Sequence, residues 1–229
     1  MRSLFAVLLT ALVAHAAMGD PELVKARDLQ DRATLDRILN DRRAAAAKQP
    51  QDAATQYRLA LAASYSAEVA TELRDKNATK NLAQTGIDAA EKAVSLRPDS
   101  AEHQRILGTL CGQIISGNTM SAIKYGKCAL EAVNKAIELD PRSSVNYVSR
   151  GVGNYYLPPA FGGGIDIAIK DFRKAIDLDP KNSDAWLWLG IALRRSNQSD
   201  EARKAIARSL ELNPDRMWAK QQLEKTVTP

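Results

Sequence analysis

Histidine and cysteine are scarce in this chain. Its 229 residues contain two of each, and the two histidines, His15 and His103, are far apart in the sequence. Nucleophilic triads and most zinc sites need several such groups brought together. The sequence contains no Cys-x-x-Cys pair and no histidine–cysteine cluster with metal-ligand spacing. We therefore expect a protein that is not an enzyme and has no cofactor and no metal.

Long apolar runs are also missing, with one exception near the N-terminus. The run at residues 4–13 follows Arg2 and precedes an Ala-His-Ala site at residues 14–16. It is shorter than the ~20 residues that span a bilayer, and this arrangement is typical of a cleaved secretory signal. We expect removal of residues 1–16 and an exported protein, periplasmic or secreted, with no membrane span in the mature chain. An uncleaved membrane anchor is the alternative.

Charge of one sign is not concentrated anywhere. The whole chain has a formal net charge of +5. Removing Arg2 with the signal leaves 31 basic side chains against 27 acidic ones. These charges are interspersed along the predicted helices, whereas nucleic-acid binding needs a basic face. Nucleic acid is therefore not an expected partner.

One short phrase, by contrast, is abundant. The end of an amphipathic helix, a polar turn and a proline follow one another at residues 91–98, 134–141, 173–180 and 207–214. Proline prevents the helix from continuing. A phrase that recurs through a chain indicates a repeat architecture.

Small residues keep constant distances from the prolines. Ten residues after each proline that precedes a helix pair stand Ala60, Gly108, Gly151 and Gly190. Twelve residues before each closing proline stand Gly86, Ala129, Ala168 and Ala202. Five residues before it stand Ala93, Ala136, Ala175 and Ser209. Small residues at these places let two helices approach closely.

This spacing resembles the tetratricopeptide repeat, a helix-turn-helix unit of 34 residues. The resemblance covers about residues 51–216 and implies an all-α superhelix of helical hairpins. The repeats would occupy residues 51–98, 99–141, 142–180 and 181–216, with lengthened hairpins in the first three. We expect a helix at 21–48 within an N-terminal segment, 17–50, and a capping helix and tail at 217–229. Arg150 stands where the family usually has an apolar core residue.

The resemblance also implies a concave groove lined by the first helix of each repeat. The groove-facing places hold Tyr57, Leu61, Tyr65, Arg105, Val148, Val152, Tyr155, Leu187, Ile191 and Arg194. Lysine and asparagine, which clamp an acidic peptide terminus in some members, are missing from the matching places. The groove should be apolar and aromatic with a basic end, and should bind a partner protein or peptide. A tight stack, or a groove filled by the N-terminal helix, is the alternative.

One insertion cannot be helical. It contains Pro158, Pro159, Phe161, Gly162, Gly163 and Gly164. We expect a shaped loop that packs its phenylalanine against a neighbouring hairpin, because the lysine and Ser/Thr of a phosphate-binding loop are absent. An anion held by free amides at the following helix start is the alternative.

A signal peptide, long hairpins and this loop also give a weaker resemblance to the T component associated with tripartite periplasmic (TRAP) transporters. That resemblance implies a second function, the binding of a small apolar ligand or lipid by an accessory protein of a transport system.

The two cysteines, Cys111 and Cys128, lie on the two helices of the second repeat. Antiparallel helices that meet near residue 119 bring them opposite each other. A disulfide is then sterically feasible if their Cα atoms lie within about 7 Å, and an oxidising compartment would allow it. Two buried thiols in the core are the alternative.

Overall fold

The computed structural model describes residues 20–116 and 120–226, and every regular element within them is helical. The α-helices are α1 (Pro21–Asp28), α2 (Arg32–Lys48), α3 (Ala53–Glu72), α4 (Lys76–Leu96), α5 (Ala101–Ser116), α6 (Met120–Leu139), α7 (Ser144–Tyr156), α8 (Ile165–Leu178), α9 (Ser183–Arg195), α10 (Ser199–Leu212) and α11 (Met217–Glu224). The predicted all-α fold is confirmed. The predicted signal peptide lies outside the described residues.

Consecutive helices pair as hairpins from α3 onward. Helix α3 packs on α4, α5 on α6, α7 on α8 and α9 on α10. The first helices also contact one another, α3 with α5, α5 with α7 and α7 with α9. The first helices therefore form the inner layer of the superhelix, and helix α11 packs on α10 at its end.

The prediction of a single helix over residues 21–48 is wrong. Gln30 has a φ of 56°, a left-handed conformation that ends α1. The amide of Asp31 donates to the carbonyl oxygen of Ala26 at 2.8 Å, and its carboxylate then caps α2 by accepting from the Thr34 amide at 3.1 Å. The sequence has neither glycine nor proline at this break, so the helical spacing of apolar residues did not indicate that a helix ends there.

The glycines predicted to allow close helix approach do so. A Cβ atom at Gly190 would lie 2.5 Å from Cγ1 of Ile206 and 2.8 Å from the carbonyl oxygen of Ala202. A Cβ atom at Gly108 would lie 2.4 Å from Cγ2 of Val133. In both cases the first helix of a pair rests directly on the second.

Arg150 is accommodated by an ion pair inside the third helix pair. Its Nη2 donates to Oδ1 of Asp171 at 2.6 Å and its Nε to Oδ2 at 3.1 Å. Nδ2 of Asn154 donates to the same carboxylate at 2.9 Å. The Asp171 carboxylate is buried but fully bonded, so the departure from an apolar residue leaves no unpaired charge.

Cys111 on α5 and Cys128 on α6 form a disulfide with their Cα atoms 6.0 Å apart. The bond joins the two helices that flank residues 117–119, which are not described. It adds a covalent tie to the helix pair in the middle of the stack.

Candidate functional site

The first helices and both ends of the described chain surround one concave cavity. Its volume is about 160 Å³ and its wall is made by α1, α3, α5, α7, α9 and α11. The inner layer of the superhelix therefore opens onto a defined space, in which the side chains of distant segments meet.

The predicted groove residues divide into two groups. Four line the cavity, namely Tyr65, Arg105, Val148 and Val152. The other six have different surroundings. Tyr57 stacks on His103, and Tyr155 lies edge-on to Trp188. Leu61 packs on the N-terminal core and Arg194 donates to Gln222, whereas Leu187 and Ile191 are buried in the C-terminal core. Helical spacing thus predicted which helices face the cavity, but only some of the residues that line it.

The wall is more highly charged than the sequence predicted. Glu68, Glu72 and Asp184 line it together with Arg27 and Arg105. The sequence feature that could have indicated the two glutamates was their spacing of four residues on α3, which places them on one face of the helix.

The two ends of the described chain meet beside the cavity. Nδ2 of Asn213 donates to Oδ2 of Asp28 at 2.8 Å, and Nε2 of Gln221 donates to Oε1 of Gln30 at 2.9 Å. Helices α1 and α11 therefore close the superhelix into a ring. Helix α1 contributes Arg27 to the cavity wall and does not fill the cavity.

Arg216 is the centre of this closure and only 1% of it is exposed. Its Nη2 donates to Oε1 of Glu68 at 2.7 Å and also to Glu72. Its Nη1 donates to Oε2 of Glu72 at 3.2 Å, and its Nε lies 3.6 Å from Oδ1 of Asp28. A buried guanidinium is tolerated because several carboxylates replace the water that it loses.

Arg27 forms a second centre. Its Nη2 donates to Oδ1 of Asp28 at 2.7 Å and its Nη1 to Oδ2 of Asp184 at 2.8 Å. Its guanidinium also lies over the ring of Tyr65, 5.0 Å from the ring centre. The two arginines and their carboxylates form one network, which joins α1, α3, α9 and the start of α11.

The network changes the protonation of its members. Burial raises the pKa of the Glu68 carboxyl to about 7, and the neighbouring Glu72 adds to this rise against the opposing pull of Arg27 and Arg216. Burial also acts against ionisation of Asp184, yet the same two guanidiniums hold its pKa below the ordinary value. Glu68 therefore changes charge near neutral pH. Burial also raises the pKa of the neighbouring Glu72 carboxyl, against the opposing pull of Arg216.

His103, the one histidine among the described residues, has structural surroundings. Its Nδ1 lies 3.1 Å from the carbonyl oxygen of Ala93, and its ring stacks on Tyr57 with centres 5.3 Å apart. Burial lowers its pKa. The imidazole is therefore neutral at pH 7 and fixed against the preceding helix.

The proline–glycine loop does not present free glycine amides. The amides of Gly162, Gly163 and Gly164 donate to the carbonyl oxygens of Pro159, Pro158 and Asn154. The three glycines therefore contribute no free amide to an anion site. Phe161 is 46% exposed and belongs to neither hydrophobic core cluster, so it does not anchor the loop as expected. Leu157, only 3% exposed, is the residue that anchors the loop instead.

Within residues 20–116 and 120–226, no group of three or more His, Cys, Asp or Glu side chains is arranged to hold a metal ion. No helix there is both long and apolar enough to cross a membrane.

Known proteins resemble this chain in sequence and in fold. Small glutamine-rich tetratricopeptide repeat-containing protein 2 of Mycosarcoma maydis is 39% identical over 95 residues, which are 42% of this chain and 25% of that protein. The Peroxisomal targeting signal receptor of Kluyveromyces lactis is 33% identical over 95 residues, 41% of this chain and 15% of that protein. The chain therefore spans a quarter or less of the length of these curated relatives.

A solved structure supports the fold at low identity. A thermophilic TPR protein of Thermus thermophilus superposes with a TM-score of 0.64 and 18% identity, covering 90% of this chain and 97% of the other. It therefore shows the same arrangement of helical hairpins.

Two family models match different parts of the chain. A tetratricopeptide repeat model matches residues 165–223. The model described as Regulator of microtubule dynamics protein 1-3 matches residues 23–157. Because this second match takes in more than half of the chain, the protein belongs to the Regulator of microtubule dynamics protein 1-3 family, and it is built on tetratricopeptide repeats.

Proposed function

We propose that this protein is a non-enzymatic scaffold that binds a segment of a partner protein at its concave cavity, with a side chain of that segment inserted into the cavity. The observation that carries the proposal is the convergence of the first helices, α1 and α11 on one cavity. Its wall combines apolar side chains such as Val148 and Val152 with charged ones such as Glu68. Such a mixture suits a peptide, which presents both kinds of group.

A protein partner also agrees with the description of the family. That description concerns microtubule dynamics, and microtubules are assemblies of protein. We propose no action on microtubules, because the export proposed below would keep the chain apart from them.

Export outside the cytoplasm, to the periplasm or beyond, is part of the proposal. It is supported by the apolar run at residues 4–13 with its Ala-His-Ala site. The disulfide between Cys111 and Cys128 adds support, because disulfides persist in oxidising compartments. N-terminal sequencing of the purified protein should begin at Ala17, and a chain that begins at Met1 would contradict the proposed cleavage.

The cavity is poorly suited to a lipid or a large apolar ligand. Its volume of about 160 Å³ is below the roughly 300–1,000 Å³ typical of ligand pockets. Charged carboxylates also form part of its wall. We therefore do not propose the carrier function suggested by the weaker resemblance.

The scaffold proposal is tested by comparing two matched substitutions. Val152→Arg places a long cation in the cavity, whereas Leu139→Arg makes the same change at an exposed position on the second helix α6, where Leu139 is 36% exposed. Each immobilised protein is offered an extract of the exported fraction, and retained proteins are quantified by mass spectrometry. We expect the unchanged protein and Leu139→Arg to retain the same partner, and Val152→Arg to retain at least about tenfold less, the loss expected when a cavity contact is blocked.

Circular dichroism establishes that all three proteins are folded. A folded unchanged protein that retains nothing above an unrelated folded control would overturn the proposed function. Equal retention by Val152→Arg would show that partners bind elsewhere than in the cavity.

A further inference from the structure

We propose that the cavity accepts a cationic side chain, a lysine or arginine of the partner segment. This inference rests on the proposed function and names the chemistry that the cavity selects. Three features support it: the excess of negative charge in the wall, two carboxylate oxygens that accept no hydrogen bond, and the aromatic rings beside them.

The network around the cavity has an excess of negative charge. It contains two guanidiniums, on Arg27 and Arg216, and four carboxylates. The carboxylates belong to Asp28, Glu68, Glu72 and Asp184. Arg105, the other cation in the wall, is paired with Glu102 at 2.7 Å. With every group ionised, two negative charges therefore have no matching cation among the described residues.

Two of these carboxylates line the cavity with an oxygen to spare. Glu68 accepts through Oε1 and Asp184 accepts through Oδ2, each from one arginine. Among the hydrogen bonds of the described residues, none reaches Oε2 of Glu68 or Oδ1 of Asp184. Oδ1 of Asp184 lies 3.8 Å from Nε of Arg216, which is an ion-pair distance and too long for a hydrogen bond. Their side chains are 19% and 27% exposed. Both residues can therefore accept a charge-assisted hydrogen bond from a donor that enters the cavity.

Aromatic rings complete the surroundings that a cation prefers. Tyr65, Tyr156, Trp188 and Trp218 all line the cavity. The protein's own arginines already use this combination: Arg27 lies 5.0 Å from the ring centre of Tyr65 and Arg216 lies 5.7 Å from that of Trp218. A ligand cation would meet the same pairing of carboxylate and aromatic ring.

The size of the cavity sets how much of a ligand can enter. A volume of about 160 Å³ is close to that of engineered cavities, about 150 Å³, that admit a single benzene ring. One long side chain fits this space, and a folded element does not. The partner would therefore insert a single lysine or arginine from an extended or helical segment.

Protonation of Glu68 makes cation binding dependent on pH. The charged groups that face this carboxyl are Arg27, Arg216, Glu72 and Asp184. The phenols of Tyr65 and Tyr156 also face it and stay neutral, because burial raises the pKa of each. Because its pKa is raised to about 7, the free protein loses one negative charge of the wall as pH falls from 8 to 6. A cation binds the ionised form more tightly, so its affinity should fall over this interval, and binding above pH 7 should stabilise ionised Glu68.

The test uses pentylammonium as a stand-in for a lysine side chain and 1-pentanol as its neutral control. Pentylammonium, like lysine, carries its charge at pH 8. Titration calorimetry at pH 8 should show pentylammonium binding at one site and pentanol binding at least about tenfold more weakly, because the charge-assisted hydrogen bonds are lost. Equal binding of the two probes, or no binding of pentylammonium by the folded protein, would overturn the inference.

A matched pair of substitutions locates the site. Glu68→Gln removes one negative charge from the cavity wall while keeping the shape, and Glu201→Gln makes the same change on α10, where the side chain of Glu201 is 61% exposed. We expect Glu68→Gln to weaken pentylammonium binding at least about tenfold and to abolish its decline between pH 8 and 6, and Glu201→Gln to change neither. If Glu68→Gln does not fold, Asp184→Asn takes its place for the affinity, with the same expected loss. Full binding by the folded cavity variant would contradict the assigned site.

The inference and the proposed function can fail separately. Once a partner has been captured, its lysines and arginines can be changed to glutamine one at a time. A partner that binds the cavity equally well after every such change would refute the cationic ligand and leave the scaffold function standing. Pentylammonium binding without any captured partner would refute the scaffold function alone.

Discussion

Replacing Arg216 by methionine should lower the free energy of unfolding by about 3–5 kcal/mol, the cost of removing one partner from a buried ion pair. Arg216 is 1% exposed and donates to both Glu68 and Glu72. Without it, the side chain of Glu72, 1% exposed, would remain buried and charged without its main partner. Urea denaturation followed by circular dichroism measures the effect.

Arg208→Met is the matched control. Arg208 pairs with Glu211 on the same helix, but the two side chains are 46% and 63% exposed. Exposed pairs of this kind contribute at most about 1 kcal/mol. If Arg216→Met were no more destabilising than Arg208→Met, the closure of the superhelix through Arg216 would be wrong.

Replacing Gly190 by leucine should destabilise the protein by about 3 kcal/mol or more, at the upper end of the range for overpacked cores. A Cβ atom there would meet Ile206 at 2.5 Å and the carbonyl oxygen of Ala202 at 2.8 Å. The second contact is with backbone, so α9 and α10 would have to separate. Thermal unfolding measures the loss as a fall in Tm.

Gly153→Ala should have the opposite effect on the stability of the protein. Gly153 lies inside α7, and a Cβ atom at this position would have no neighbour within 4 Å. Alanine should therefore stabilise the helix by up to about 1 kcal/mol. If the Gly190→Leu protein had the same Tm as the unchanged protein, the repeat alignment would be wrong.

The repeat pattern made the helical hairpins predictable because its information is local. Proline ends each pair, and small residues stand where two neighbouring helices touch. Gly190 and Ile206, for example, are only sixteen positions apart in the sequence. Contacts at this range are fixed by the 3.6-residue period and by the hairpin, both of which can be followed along the chain.

The break between α1 and α2 could not be predicted in the same way. It depends on Gln30 adopting a left-handed conformation, which is rare for residues other than glycine and asparagine. Arg74 adopts the same conformation, with a φ of 63°, at the end of α3. In both places an aspartate follows at once and caps the next helix. The sequence feature that could have indicated each helix break was therefore the aspartate that directly follows the left-handed residue.

The cavity was only partly predictable because its wall is assembled over long distances in the sequence. Arg216 meets Glu72 across 144 positions and Glu68 across 148. The closure of the superhelix decides these contacts, and the repeat period gives no information on where the two ends meet. Arg105, Val148 and Val152 line the cavity, whereas Leu187 and Ile191 on α9 are buried in the C-terminal core.

Amide hydrogen exchange of the protein, alone and with its captured partner, tests most directly whether the cavity is the binding site. We expect the partner to protect α3, α5 and α7 at the cavity, together with α1 and α11 at its edge, and to leave the outer helices α4, α6 and α8 unchanged. Protection confined to those outer helices, with none on the cavity wall, would contradict the assignment.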